Sequence, residues 1–117
     1  MGLDQNAYAI EKKGSKEHFV DLAYWRKHNA LQGWMENLFR LRGGKGTFNC
    51  QDVHLSAIDI DLLESVVKSD NLPQTEGFFY GPDSSQDKHK KEITLEFIKD
   101  ARTHLELGKE ICYSSNW

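Results

Sequence analysis

Residues 15–42 of the chain read SKEHFVDLAYWRKHNALQGWMENLFRLR, and this stretch decides the predicted fold. Ser15 is a favourable helix N-cap residue, and Glu17 and Asp21 follow where negative charge stabilises the start of a helix. Large apolar residues then recur at spacings of three, four and seven, which is typical of one buried helix face: Val20, Tyr24, Leu31, Trp34, Met35, Leu38 and Leu41. We therefore predict one long helix over 15–42, ended by the glycine-rich segment 43–46.

Shorter patterns on either side of this helix predict the other elements. Residues 7–10 are expected to be a short strand or an ordered arm, and residues 47–55 and 109–117 are expected to be strands. Ser56, with Asp59 three residues later, predicts a capping box that begins a second helix. Apolar residues every four positions over 93–105 predict a third helix that ends before Gly108. The core face of the second helix is expected to hold Ile58, Leu62, Leu63, Val66 and Val67.

The order of these elements predicts an α+β fold. Because helices and strands do not alternate as βαβ units, about three helices are expected to pack on a small antiparallel or mixed sheet. The 117 residues suit a single domain with one core, and residues 1–6 could be disordered.

The composition favours a soluble cytoplasmic protein. With 38% hydrophobic and 28% charged residues, the chain can form a packed core. Its start lacks the basic and apolar regions of a signal peptide, and no apolar run approaches the roughly 20 residues of a membrane span. The net charge of −3 argues against nucleic-acid binding, which usually requires a basic excess. We therefore expect no membrane attachment and no nucleic-acid partner.

No familiar catalytic or metal-binding motif stands out, so no cofactor is expected and an enzyme is the less favoured class. The segment 43–47 (GGKGT) superficially resembles a phosphate loop, but it follows a predicted helix and precedes a predicted strand, the reverse of the required context. None of the five histidines has the spacing of a helical zinc site. His54 with Cys50 could form a Cys–His pair, although a partly exposed histidine beside a buried thiol is the simpler interpretation.

Two tryptophans are the most informative candidates for function. On the predicted helix Trp25 lies about 100° from the apolar face, beside Arg26 and Asn29. Such a tryptophan is either covered by another element, and so part of the core, or an exposed anchor for a partner. The small size of the domain favours the core. Trp117 at the end of the chain is likewise either a plug for the last strand or a handle for a partner.

Four motifs occur in order along the chain. Residues 24–37 read YWRKHNALQGWMEN, residues 48–50 FNC, residues 72–81 LPQTEGFFYG and residues 113–117 YSSNW. They resemble the Y-W-R-K-x-N-x-[LI]-x-x-W, N-C, L-P-x-x-x-G-F-F-[FY]-G and Y-x-x-x-W elements of a family of small uncharacterised bacteriophage and prophage proteins. The resemblance covers about residues 20–117. It implies a phage or prophage product that works in the bacterial cytoplasm, and it transfers no catalytic residue.

The motif residues support two main functional hypotheses. The leading one is an accessory protein that binds a host or phage macromolecule, most simply a protein, through a surface containing Trp25, Arg26, Asn29, Phe79, Tyr80 and Trp117. The alternative is a small-ligand binder or small enzyme that uses a polar-aromatic cluster around Arg26, Asn29 and Asn49. The same cluster could instead be a buried network that fixes the fold. A third hypothesis, nucleic-acid binding through Lys12-Lys13 and residues 88–91, is the weakest, and the sequence leaves the oligomeric state open.

Overall fold

The computed structural model describes residues 3–72 and 88–117, which contain four strands and three helices. In chain order these are β1 (Asp4–Lys13), β2 (Lys16–Trp25), α1 (Asn29–Leu41), β3 (Val53–Leu55), α2 (Ala57–Lys68), α3 (Lys88–Glu106) and β4 (Glu110–Asn116). The strands form one antiparallel sheet in the order β2-β1-β4-β3. The predicted α+β fold is confirmed. No helix within these ranges is long and apolar enough to cross a membrane.

The single helix predicted over 15–42 is wrong in its first half, which is a strand. Gly14 has a φ of +64° and forms, with Ser15, the two-residue turn that joins Lys13 of β1 to Lys16 of β2. Glycine at the first central position is typical of a tight hairpin turn, because it adopts positive φ without a steric penalty. The chain therefore reverses at 14–15 and pairs with itself, and the helix begins only after residue 28.

The helical spacing across residues 15–42 is a coincidence of two different patterns. Val20 and Tyr24 lie on β2 and are exposed, whereas Leu31 and Met35 lie on α1 and are buried. Leu41, which was expected in the same apolar face, is exposed at the end of α1. A spacing of seven between residues 24 and 31 fits two turns of helix, but here it spans the connection between a strand and a helix.

Most of the other predicted elements are confirmed, with altered bounds. The strand at 7–10 is the middle of β1, which begins at Asp4, and Leu3 and Gln5 are buried. The strand at 47–55 is reduced to Val53–Leu55. The last strand is β4, and Gly108, with a φ of +82°, follows α3 as expected.

The capping box of α2 is confirmed, but the predicted core face of this helix is partly wrong. The Asp59 backbone N–H donates to Ser56 Oγ at 3.2 Å, and the Ser56 N–H donates to Asp59 Oδ2 at 2.8 Å. Asp59 is buried beside the Arg42 guanidinium, and the next residue, Ile60, is fully buried. Successive helical side chains are about 100° apart, so Ile58 and Leu62 are directed outward and are exposed.

The helices pack on one face of the sheet and enclose the core between them. Side chains alternate along each strand, so every second residue faces the helices. On β1, β3 and β4, the buried residues that face the helices include Ala7, Ala9, Val53, Leu55, Ile111 and Tyr113. The opposite side, which we call the outer sheet face, carries Asn6, Tyr8, Phe19, Asp21, Tyr24 and Cys112.

A buried hydrogen-bonded network joins α1 to the sheet. The Gln5 side chain of β1 donates to the Tyr113 hydroxyl at 2.8 Å and to the His28 carbonyl at 3.0 Å, and it accepts from the His28 N–H at 2.6 Å. The Tyr113 hydroxyl donates to Gln32 Oε1 at 2.6 Å. His28 is the N-cap of α1, and its Nδ1 accepts from the Leu31 N–H at 3.5 Å. The start of α1 is therefore fixed against strands β1 and β4.

An ion pair on the other side of the fold joins α2 to α3. The Arg102 guanidinium donates to both carboxylate oxygens of Glu64, at 2.8 and 2.9 Å, and to Asp61 at 2.7 Å. These hydrogen bonds from Arg102 hold the pKa of Glu64 at about 2, below its ordinary value of 4.5. A carboxyl group whose pKa is lower in the folded than in the unfolded state stabilises the fold above the unfolded pKa.

We predict that replacing Glu64 with Gln makes the stability less dependent on acid pH. The Glu64 contribution is present above about pH 4.5 and is lost as the pH falls toward 2, because the folded carboxylate must then be protonated. Urea unfolding at a series of pH values from 7 to 2 measures this dependence. An unchanged slope of the unfolding free energy below pH 4.5 in Glu64→Gln would contradict the assignment.

We predict that Tyr113→Phe lowers the free energy of unfolding by about 1–3 kcal/mol, because it leaves a buried hydrogen-bonding atom of Gln32 without its partner. Urea denaturation measures the loss. Tyr24→Phe is the matched control, since its hydroxyl donates to Asp4 at the surface, where water can replace the lost contact. Equal losses in the two variants would show that the buried network does not stabilise the fold.

Candidate functional site

The structure places Trp25 in the core. Only 1% of its surface is exposed, and its ring packs edge-on against Phe97 with centroids 5.4 Å apart. The indole N–H donates to Thr94 Oγ1 at 3.0 Å, so the polar edge of the ring is satisfied inside the protein. Asn29, at the start of α1, is also fully buried. Burial removes both residues from an exposed contact surface.

Arg26 lies at the surface, beside the exposed ring of Tyr24. The Asp4 carboxylate connects the two residues, because Oδ1 accepts from the Tyr24 hydroxyl at 2.6 Å and lies 3.7 Å from Arg26 Nε. Tyr24 nevertheless exposes 51% of its surface. The pair is thus accessible to a partner while its polar groups are held by the neighbouring strand.

Asn49 and Trp117 are brought together, and they hold the end of the chain in place. Asn49 Oδ1 accepts from the Trp117 backbone N–H at 3.0 Å, and the Trp117 indole donates to the Phe48 carbonyl at 2.9 Å. The Cys50 N–H donates to the Ser115 carbonyl at 2.7 Å. Trp117 is half-buried, which agrees with a plug for β4. Phe79 and Tyr80 lie outside the described residues.

The predicted polar-aromatic cluster does not form one surface. Arg26 points to Asp4 and solvent, Asn29 is buried below the start of α1, and the Asn49 amide oxygen is engaged by the tail. The buried network that does fix the fold uses Gln5 and Tyr113, which were not among the predicted site residues. Gln5 and Tyr113 lie 108 residues apart in sequence, so no local pattern could have identified their contact.

A groove between β2 and α3 is a feature that sequence reasoning missed. Its volume is about 350 Å³. Leu22 and Ala23 form the strand side, and the helix side is lined by His89, Glu92, Ile93, Glu96 and Phe97. The pairing of β1 with β2 is irregular between Ala7 and Tyr8, which leaves Leu22 as an extra residue on β2. Such a bulge re-aims side chains, and here both Leu22 and Ala23 face α3.

A Cys–His contact exists on the outer sheet face, but its thiol is protected. Cys112 Sγ lies 3.4 Å from His54 Nδ1. Burial, followed by the nearby charges of Asp52 and Glu110, raises the pKa of the Cys112 thiol to about 11. His54 is exposed as expected, but the prediction that Cys50 is the buried thiol beside it is wrong: Cys50 is exposed, and the buried thiol is that of Cys112 on the neighbouring strand β4.

Two other predictions about chemistry can be compared with the structure. The segment 43–47 ends α1, with positive φ at Gly43 and Gly46, and it leads to β3, so its interpretation as a helix stop is confirmed. Within residues 3–72 and 88–117, no three His, Cys, Asp or Glu side chains are placed to hold a metal ion.

We predict that the native protein reacts with one equivalent of a thiol reagent at pH 8. Cys50 is exposed, whereas only about a thousandth of Cys112 is ionised at that pH. Cys50→Ser should therefore react slowly when folded and rapidly in urea, and Cys112→Ser should retain one fast thiol. Absorbance of released thionitrobenzoate measures both rates. Fast labelling of folded Cys50→Ser would show that Cys112 is accessible.

Comparison of the chain with protein-family models, with curated protein sequences and with solved structures finds no match. The resemblance of the four motifs to a phage family stays a prediction. The structure brings three of these motifs to one end of the sheet: Tyr113 contacts Gln32 of the first motif, and Cys50 and Asn49 contact the tail. The remaining motif, residues 72–81, lies outside the residues that the structure describes, except for Leu72.

Proposed function

We propose that this chain is an accessory protein of a bacteriophage or prophage that binds a protein partner in the bacterial cytoplasm and does not act as an enzyme. The contact surface centres on Tyr24 and Arg26, at the end of β2. In the register of the sheet, Asn6 of β1 lies between Tyr24 of β2 and Ser114 of β4, so these three residues are neighbours on the outer sheet face. The motif resemblance supplies the phage context.

The observation that carries this proposal is the pair of exposed side chains held by Asp4. Tyrosine and arginine are enriched among the residues that dominate the energy of protein interfaces. Ordering flexible side chains on binding costs about 0.5–1.5 kcal/mol each, and the contacts with Asp4 reduce this cost for both residues in advance. An antiparallel sheet commonly exposes one polar face to solvent. Solubility therefore does not require the aromatic ring of Tyr24 on this face.

The rival hypotheses are less well supported by the described residues. A small-ligand site or enzyme around Arg26, Asn29 and Asn49 would need these side chains to share a cleft, and they differ in burial and in partners. For nucleic acid, Lys12, Lys13 and Lys91 form salt bridges with Glu110, Glu11 and Asp70, which offsets their charge.

We predict that tagged wild-type protein captures a specific protein from bacterial lysate and that Tyr24→Ser with Arg26→Ser loses it. Mass spectrometry identifies the captured protein, and circular dichroism checks that the variant is folded. The matched control is Leu107→Ser with Lys45→Ser, which also removes one exposed apolar side chain and one exposed cation but lies elsewhere. The control should retain the partner.

A second variant tests the role of Asp4 directly. Tyr24→Phe keeps the ring and loses the hydrogen bond to Asp4, so we expect weaker capture than wild type but stronger than the double serine variant. Equal capture by wild type and the double serine variant, or loss of the partner in the control as well, would contradict the proposed surface.

A further inference from the structure

We propose that a second copy of this chain pairs antiparallel with the outer edge of β2, so that two four-stranded sheets join across a twofold axis into one sheet. This dimer does not depend on the proposed function, because it uses residues 16–22 of β2 and not Tyr24 or Arg26. Three features of the molecule point to it: an edge without a strand partner, an apolar groove beside that edge, and complementary charges.

The edge of β2 is suited to strand pairing. Among residues 3–72 and 88–117, β1 is its one strand partner, so the other edge has no strand beside it. Residues 16–21 pair with β1 in regular register, before the bulge at Leu22. Phe19 exposes 61% of its surface on this stretch, and Val20 is also exposed. The unpaired backbone N–H and C=O groups of an edge strand are a ready template for pairing with another chain.

Antiparallel pairing centred on Phe19 gives a consistent register. Directly opposite residues in such a pair point to the same face of the sheet. Phe19 then meets Phe19 of the second copy on the outer sheet face, and an aromatic cross-strand pair of this kind stabilises a sheet. On the inner side, Val20 meets His18, and Leu22 meets Lys16 of the second copy.

In this register Lys16 of the second copy enters the groove between β2 and α3. Its aliphatic stem can pack on Leu22 and Ile93, while its ammonium group reaches Glu92 and Glu96 on α3. The twofold axis repeats the contact, so that each dimer contains it twice.

The charges of the single chain are left unbalanced at this point. Glu92 and Glu96 are four residues apart on α3, a spacing at which like charges destabilise a helix. Neither carboxylate forms a salt bridge with another residue in the part of the chain that the structure describes, and the same is true of Lys16. Lys16 of a second copy would neutralise one of the two acidic charges.

Lys16 also explains why pairing would be specific and not general. An inward-facing lysine and a bulge are devices that natural sheets use to prevent unwanted pairing at an edge. In the register described, Lys16 lies beside Glu92 and Glu96 of the other copy. In other registers its charge would lack these partners, so Lys16 disfavours them. Glu17 would lie opposite Asp21 of the second copy, a repulsion that Lys12, directly opposite Glu17 in β1, offsets.

Sedimentation equilibrium over a concentration series that reaches the millimolar range tests the dimer. Wild type should show a monomer–dimer equilibrium that weakens as NaCl is added. Lys16→Glu alone, and Glu92→Lys with Glu96→Lys, should each raise the dissociation constant at least about tenfold. The protein that carries all three substitutions should recover the wild-type value, because the charges are then reversed on both sides. Lys45→Glu, an equal charge change on an exposed loop, should have no effect.

Phe19→Glu provides a second route if the triple variant fails to fold, since a charged pair at the twofold axis should abolish the dimer. A wild-type protein that stays monomeric throughout the series would overturn the proposal. A dimer that responds to the groove substitutions no more than to Lys45→Glu would also overturn it, because the copies would then associate through another surface.

Discussion

The hydroxyl group of Tyr113 is the contact on which the arrangement of this fold depends. It accepts from Gln5 of β1 and donates to Gln32 of α1, so one buried group on β4 links two strands and a helix. The Gln5 amide in turn binds both backbone groups of His28, the residue at which α1 begins. Because unpaired buried polar groups are costly, these residues allow few alternative positions for α1. The ring of Tyr113 also lies between Trp25 and Phe48, which extends the constraint to the apolar core.

Local chemistry predicts a large part of this fold. The capping box at Ser56 and Asp59, the last strand and the glycine after α3 each depend on neighbouring residues, and each is found where the sequence indicates it. The error over residues 15–42 has a local cause as well. Gly14-Ser15 between two charged lysines is a signal for a two-residue hairpin turn, but Ser15 also suits a helix N-cap, and the apolar spacing on either side of residue 28 happens to match a helix.

The candidate site could be predicted only in part, because its residues are joined by the register of the sheet. Domain size correctly favours Trp25 as a core residue, but the placement of Trp25 and Arg26 on opposite sides follows from strand alternation and not from helix geometry. Asp4, which holds both Tyr24 and Arg26, lies 20 residues before Tyr24. No sequence periodicity identifies that contact, since it exists only once β1 and β2 have paired.

Strand β2 combines three roles because its successive side chains and its backbone point in different directions. Trp25 and Ala23 face the helices and contribute to the core, Tyr24 faces solvent beside Asp4, and the outer edge of the backbone is free of a strand among the described residues. Apart from the bulge residue Leu22, the strand is paired with β1 from Lys16 to Trp25, so none of these surfaces needs to fold in order to bind. A protein partner at Tyr24 and a second copy at the edge would therefore occupy β2 without competing for the same side chains. A substitution at Lys16 then changes the monomer–dimer equilibrium, and a substitution at Tyr24 changes the binding of the protein partner. The two side chains act separately because side chains alternate between the two faces of a β-strand.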